Sequence, residues 1–82
     1  MKVAVDISLY PLNEDFIPPI KDVIERLNSH DNLYVDTNSM STQIRGEYDD
    51  VMAAITKEFK TTFEQLPKGV FVMKILNNPI AD

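Results

Sequence analysis

The chain has 82 residues, 44% of them hydrophobic and 26% charged, and this length supports one hydrophobic core, so we predict a single domain over residues 1–82. The net charge of −5 and the isoelectric point near 4.6 argue against nucleic acids and anionic membranes as partners, because both are bound by clustered Lys and Arg. The absence of cysteine excludes disulfides, thiolate zinc sites and a cysteine nucleophile, and a single His cannot build a His-based metal site.

The first predicted element is a strand from Lys2 to Tyr10, in which large apolar side chains alternate with small or polar ones. One side carries Val3, Val5, Ile7 and Leu9, and the other carries Ala4, Asp6, Ser8 and Tyr10. We expect Pro11 to end this strand. Asp6 interrupts the apolar run far short of a signal sequence or of the ~20 residues of a membrane span, so we expect a cytoplasmic protein.

A helix is predicted from Ile17 to Asn28. Its apolar positions follow helical spacing and are Phe16, Ile17, Ile20, Ile24 and Leu27. Pro18 and Pro19 fit only in the first turn, where the missing backbone N–H is not needed. The polar run from Asn28 to Asn32 is expected to end the helix, and His30 within it is expected to be exposed and without a role.

Two further strands are predicted to form a hairpin, because two alternating stretches lie close together in the sequence. In the first, Leu33, Val35 and Thr37 alternate with Tyr34, Asp36 and Asn38, and in the second, Met40, Thr42 and Ile44 alternate with Ser41, Gln43 and Arg45. Gly46 is expected to end the hairpin. We expect Met40, like Met52 and Met73, to be a packing residue.

The strongest periodic signal predicts a second helix immediately after the hairpin. Its apolar positions keep a spacing of three or four through Tyr48, Val51, Met52, Ile55, Phe59, Phe63 and Leu66. Asp49 and Asp50 lie where a helix N-terminus favours negative charge. The segment from Pro67 to Gly69 is predicted to be a turn, Val70 to Leu76 a last strand, and Asn77 to Asp82 a loose tail.

The order of elements, β-α-β-β-α-β, defines the predicted fold. With right-handed crossovers, two interleaved βαβ halves give a four-stranded antiparallel sheet with both helices on one face, the ferredoxin-like α+β sandwich. The other face of the sheet is left open and mixes polar with apolar side chains, which suits a surface that meets a second subunit or a ligand. Besides the outer side of the first strand, this face is predicted to carry Tyr34, Asp36, Asn38, Ser41, Gln43, Arg45, Val70, Val72 and Lys74.

Hydroxyl and amide side chains are concentrated in the segment TNSMSTQIRG, residues 37–46. Asn38 and Ser39 are ordinary turn formers, and composition alone supports a turn as well as it supports a binding site. A binding site needs a second strand, and Ser8 and Tyr10 are predicted to point to the same face as Asn38. Such a patch could hydrogen-bond a flat heterocycle and stack on it.

Two carboxylates are also predicted on the open face. Asp6 and Asp36 would need a cation or a hydrogen-bond donor if a partner covered them. A salt bridge with Lys74 or Arg45 is one explanation, and a cationic ligand is the other.

Three segments of the chain resemble a known family: ISLYPL at residues 7–12, TNSMSTQIRGEY at 37–48 and VFVMKI at 70–75. Together they resemble the YkoF-like family of thiamine- or hydroxymethylpyrimidine-binding domains, and the resemblance extends over the whole chain. It implies a ferredoxin-like domain that binds thiamine or a related pyrimidine and pairs with itself as a homodimer or a dimer of dimers. It implies neither catalysis nor a cofactor.

The ligand chemistry of this family matches the polar segment. An aminopyrimidine offers ring-nitrogen acceptors and an amino donor, which hydroxyl and amide side chains can match, and a thiazolium cation favours tyrosine faces and carboxylates. The predicted ligand-binding residues are Ser8, Tyr10, Asp36, Asn38, Met40, Ser41 and Thr42.

Two other functions stay open. The open face could serve only subunit association in a regulatory or scaffold module. An acylphosphatase-like enzyme would need a Gly-rich phosphate loop with an Arg after the first strand, and Pro11 to Asp15 is acidic and lacks Gly, so this possibility ranks last.

Overall fold

Four antiparallel strands form one sheet in the order β2-β3-β1-β4. In this computed structural model, which describes residues 1–79, the elements are β1 (Lys2–Pro11), α1 (Ile17–Asn28), β2 (Tyr34–Thr37), β3 (Thr42–Glu47), α2 (Tyr48–Gln65) and β4 (Gly69–Asn77). The βαββαβ order and the central position of β1 confirm the predicted fold. The end of the predicted tail, residues 80–82, lies outside the described residues.

Both helices cover the same face of the sheet, because side chains from the central strands and from both helices meet in one core. The buried members of this core are Val3, Val5, Ile7, Val23, Leu27, Ile44, Val51 and Ile55. The inward side of β1 was therefore predicted correctly. Within residues 1–79, neither helix is both long and apolar enough to cross a membrane.

Several predicted boundaries shift by one or a few residues. Helix α1 has the predicted range, with its two prolines in the first turn. Strand β1 extends one residue beyond the predicted Tyr10, because Pro11 still pairs with Gly69. Gly46 lies inside β3, which ends one residue later at Glu47. The hairpin strands are shorter than predicted, because residues 38–41 form the turn between them.

The side of α1 that packs on the core differs from the set of apolar positions predicted for this helix. Val23, which the sequence pattern left out, is only 4% exposed, whereas Phe16 and Ile17 are about half exposed. These two residues precede or begin the helix, where they do not pack into the core. Helix α2 shows the same effect at its ends, where Tyr48 and Phe63 are exposed.

Two of the three methionines predicted as packing residues are exposed. Met40 is 84% exposed because it lies in the β2–β3 turn and not in a strand. Met73 is exposed because the helices pack against β1, β2 and β3 more than against the edge strand β4. Only Met52 packs against the core.

An ion cluster joins the two helices and corrects the prediction for His30. The Nε2 atom of His30 lies 2.6 Å from Oε2 of Glu58, and the Arg26 guanidinium donates to Oε1 of Glu58 at 2.7 Å. Arg26 also donates to Asp22 and to the Thr62 hydroxyl. His30 is therefore a half-buried residue that links the end of α1 to α2, not an exposed residue without a role.

The environment of Glu58 keeps it charged. Its burial by itself would raise the pKa of the carboxyl, but hydrogen bonds and charge from His30 and Arg26 outweigh burial and hold the pKa below the usual 4.5. The carboxylate therefore has a donor at each oxygen, which is what a buried charge requires.

Candidate functional site

The open face of the sheet carries a carboxylate that is already partnered. Asp6 accepts a hydrogen bond from the Ser41 hydroxyl at 2.5 Å and lies 3.8 Å from the Lys74 ammonium. Asp6 therefore forms the salt bridge with Lys74 that was one of the two predicted explanations for a carboxylate on this face. Asp36 lies on the same face, because it pairs with Gln43, which in turn pairs with Asp6.

The turn between β2 and β3 is built by Asn38. Its Oδ1 atom accepts hydrogen bonds from the backbone N–H groups of Met40 at 2.8 Å and Ser41 at 3.1 Å, and its own N–H donates to the carbonyl of Ser41 at 3.0 Å. The Oδ1 atom of Asn38 therefore serves the turn, as the interpretation of the polar segment as an ordinary turn predicts. The Nδ2 amide donor of Asn38 has no hydrogen-bond partner among residues 1–79.

Strand β1 is longer than its neighbour, which opens a gap in the sheet. The pairing of β1 with β3 ends at Ile7 and Thr42, whereas the pairing of β1 with β4 continues to Pro11 and Gly69. Residues 8–11 therefore have a strand neighbour on one side only. On the other side the β2–β3 turn leaves a cavity of about 170 Å³, the turn cavity.

Apolar side chains line one wall of the turn cavity and polar groups line the other. The apolar wall comes from α1, β1 and β4 and consists of Ile7, Leu9, Ile20, Val23, Ile24, Leu27 and Phe71. The polar side consists of Ser8, Tyr10, Thr37, Asn38, Ser39, Ser41 and Thr42, with Met40 beside them. The cavity thus combines an apolar slot with several hydrogen-bonding groups, as small-molecule sites do.

Six of the seven residues predicted to bind the ligand line this cavity. They are Ser8, Tyr10, Asn38, Met40, Ser41 and Thr42. Asp36 does not line it, because it lies on the open face farther along β2 from the turn. Strand alternation placed most of the predicted site on the open face, with Thr42 on the opposite face, whereas much of the lining comes from the helix side.

The hydroxyl groups of the cavity are not all equally available. The Thr42 side chain is buried and its hydroxyl lies 3.0 Å from that of Thr37, and the Ser41 hydroxyl donates a hydrogen bond to Asp6. Ser8 and Tyr10 use no side-chain hydrogen bond within residues 1–79. Among the lining residues, the side-chain donors without a hydrogen-bond partner within residues 1–79 are therefore the hydroxyls of Ser8, Tyr10 and Ser39 and the Asn38 amide.

Three other cavities among the described residues are larger but chemically poorer. One of 350 Å³ lies between the ends of the two helices, near Pro18, Asp22 and Leu66. One of 490 Å³ lies at the opposite end of the sheet near Lys2, Tyr34 and Arg45, and one of 310 Å³ lies on the open face around Gln43 and Lys74. These last two cavities have no helix wall, and the cavity of 350 Å³ has Leu66 as its one apolar side chain besides two prolines, so none of the three offers the apolar slot of the turn cavity. Among the described residues, no three His, Asp or Glu side chains form a group that could hold a metal ion.

The structure thus combines an α+β sandwich with a small, half-apolar cavity at one end of its sheet. A sequence profile described as thiamine-binding protein matches residues 5–79. The chain therefore belongs to the thiamine-binding protein family, which confirms the family resemblance drawn from its sequence.

Solved structures share the fold along almost the whole chain. A hypothetical protein from Methanocaldococcus jannascii is 26% identical with a TM-score of 0.82, and the match covers 99% of this chain and 84% of the other. A protein from Streptococcus pneumoniae is 21% identical with a TM-score of 0.89, over 98% and 90%. A candidate thiamine biosynthesis/salvage protein from Thermotoga maritima is 22% identical with a TM-score of 0.82, over 92% and 82%. No curated protein matches the sequence.

Proposed function

We propose that this protein is a non-catalytic binding protein for thiamine or its hydroxymethylpyrimidine moiety, and that it acts as a homo-oligomer. The observation that carries the proposal is the turn cavity, which combines an apolar slot with hydroxyl and amide groups in a chain of the thiamine-binding protein family. A pyrimidine has the matching chemistry, since its two faces are apolar and its edge hydrogen-bonds.

The volume of the turn cavity suits one ring. A protein cavity of about 150 Å³ holds benzene, and pockets for drug-sized ligands measure about 300–1,000 Å³. At 170 Å³ the turn cavity can take the pyrimidine but not all of thiamine. The thiazolium ring would then lie at the rim, where the exposed ring of Tyr10 offers a face to a cation.

Calorimetric titration tests the proposed ligand. We expect hydroxymethylpyrimidine and thiamine to bind, and thiamine pyrophosphate to bind no more tightly than thiamine, because no Lys or Arg lines the turn cavity. Absence of binding by both hydroxymethylpyrimidine and thiamine would contradict the proposal. A marked preference for the pyrophosphate would move the site toward the basic residues elsewhere on the chain.

Substitution of Asn38 by aspartate tests the polar wall without removing the turn. The carboxylate retains an acceptor for the backbone N–H groups of Met40 and Ser41 but lacks the amide donor. Loss of one hydrogen bond costs roughly 0.5–1.5 kcal/mol, so we expect Asn38→Asp to weaken binding of the neutral hydroxymethylpyrimidine by about twofold to fifteenfold.

Two further variants complete the Asn38 experiment. Ser41→Ala removes a hydroxyl that donates to Asp6 but whose oxygen can still accept a hydrogen bond from the ligand, so it should weaken binding by a similar factor. Asp49→Asn, an exposed change at the start of α2, should leave the affinity unchanged. The measurement is the dissociation constant at neutral pH. Unchanged affinity in both cavity variants would show that the polar segment serves only the turn.

Exposed apolar side chains support the proposed self-association. On the open face, Tyr10, Tyr34, Val72 and Leu76 are more than 40% exposed, and a small core leaves burial to be gained by pairing. We expect sedimentation at micromolar concentrations to give a dimer or a dimer of dimers. A monomer would contradict this part of the proposal. The single domain and the cytoplasmic location stay predictions.

A further inference from the structure

The direction of the main-chain groups along β1 follows from three hydrogen bonds at the ends of the sheet. In an antiparallel ladder, successive residues direct their N–H and C=O groups to opposite sides. The Met1 carbonyl accepts from the N–H of Tyr48, in register with the β1–β3 pairing, so odd-numbered residues of β1 face β3. The Lys2 carbonyl accepts from Asn78 and the Leu12 N–H donates to Lys68, so even-numbered residues face β4.

Leu9 is the odd-numbered residue that β3 fails to reach. The β1–β3 pairing ends at Ile7 and Thr42, and its continuation would place Met40 opposite Leu9. Met40 is instead held in the turn by Asn38. The N–H and C=O of Leu9 thus point into the gap beside the turn cavity, and neither has a partner within residues 1–79.

The neighbouring main-chain groups are all accounted for. The carbonyl of Pro11, the next odd-numbered residue, accepts from the N–H of Asn13 at 2.9 Å. Ser8 and Tyr10 belong to the even-numbered set that faces β4. A half-buried main-chain donor and acceptor left side by side favour a ligand that satisfies both, because unpaired polar groups lose free energy when water is excluded.

We propose that the main-chain N–H and C=O of Leu9 bind the edge of the ligand ring, which takes the place of the missing residue of β3. The ligand class is a planar heterocycle with an acceptor and a donor on adjacent positions, as in the ring nitrogen and exocyclic amino group of a 4-aminopyrimidine. The Leu9 N–H donates to the ring nitrogen, and the Leu9 carbonyl accepts from the amino group. This inference rests on the proposed function, which places a pyrimidine in the turn cavity.

Recognition by the main chain makes a specific demand on the ligand. Replacing both amino hydrogens by methyl groups removes the donor and adds bulk at the strand edge. We therefore expect the 4-dimethylamino analogue of hydroxymethylpyrimidine to bind at least tenfold more weakly than the parent, since it excludes water from the Leu9 carbonyl without donating a hydrogen bond to it.

Amide hydrogen exchange of the full chain, followed residue by residue by NMR, tests the inference. In the free protein, the Leu9 amide should exchange much faster than those of Val5 and Ile7, which are paired with β3. Hydroxymethylpyrimidine at 100 times its dissociation constant should slow exchange at Leu9 by about 100-fold. The amides of Val5 and Ile7 serve as internal controls and should stay protected in both states.

The possible outcomes separate this inference from the proposed function. If the ligand binds and shifts Asn38 signals while exchange at Leu9 is unchanged, the main-chain contact is wrong and the proposed function stands. A Leu9 amide that is already as protected as Ile7 in the free protein would also overturn the contact. If neither thiamine nor hydroxymethylpyrimidine binds, the proposed function fails and the inference fails with it.

Discussion

Replacement of Ile55 by alanine is expected to lower the free energy of unfolding by about 2–5 kcal/mol, the usual cost of truncating a buried isoleucine. Ile55 lies in the middle of α2, is 4% exposed and belongs to the core that joins both helices to the sheet. The substitution removes apolar contacts and leaves a cavity that the neighbouring side chains fill only in part. Urea denaturation followed by circular dichroism measures the change.

A neighbouring residue supplies the control for Ile55. Thr56 is the next residue of α2 and is exposed, so Thr56→Ala should change stability by no more than about 0.5 kcal/mol. The Ile55 variant should still bind hydroxymethylpyrimidine when folded, because Ile55 does not line the turn cavity. If Ile55→Ala lowers the free energy of unfolding by less than about 1 kcal/mol, the core packs differently from the structure described above.

Replacement of Glu58 by alanine should destabilise the protein by about 3–5 kcal/mol, because it breaks a buried ion pair. The Glu58 side chain is 4% exposed, and its two oxygens contact Arg26 of α1 and His30, which lies just after α1. Arg26 is 20% exposed and retains its contacts with Asp22 and Thr62, which places the expected loss at the lower end of that range.

The stabilisation by Glu58 should depend on pH in a defined direction. The folded protein holds the pKa of Glu58 below the 4.5 of the free side chain, so the unfolded chain takes up the proton more readily. The carboxylate therefore contributes its full stabilisation above about pH 4.5, and this contribution is lost as the pH falls through the lowered folded pKa. Stability curves of the wild type and Glu58→Gln should converge in that acidic range.

Glu64 provides the matched control for Glu58. It lies on the same helix but is exposed, and Glu64→Ala should alter stability by no more than about 0.5 kcal/mol. Unfolding midpoints in urea at neutral pH and at acidic pH distinguish the two positions. A Glu58→Gln curve that stays parallel to that of the wild type at all pH values would refute the role given to the charge.

Most of the polar residues that line the candidate site could be predicted from the sequence, because strand alternation assigns side chains to faces reliably. Ser8, Tyr10 and Asn38 were grouped in this way, and all three line the turn cavity. The apolar wall from α1 could not be predicted, since Ile20 and Ile24 have the same spacing whether a helix packs on a core or on a cavity. No signal in the sequence separates the two.

The ion cluster was missed for a different reason. Asp22, Arg26 and His30 repeat at intervals of four on α1 and just after it, and Glu58 and Thr62 have the same spacing on α2, so the sequence shows a polar stripe on each helix. Which stripe meets which depends on how the helices pack. A single sequence does not specify that packing, and His30 therefore looked like a surface residue.

Local patterns determined the six elements, their order and the inward side of β1, because periodicity and turn chemistry act between residues close in the chain. Only the tertiary structure decided how far β3 extends along β1. The Asn38 turn stops the ladder at Ile7 and Thr42, and this long-range register leaves the gap that Leu9 and the turn cavity occupy. Register depends on contacts between distant segments, so alternation could identify the polar side chains but not the cavity between them.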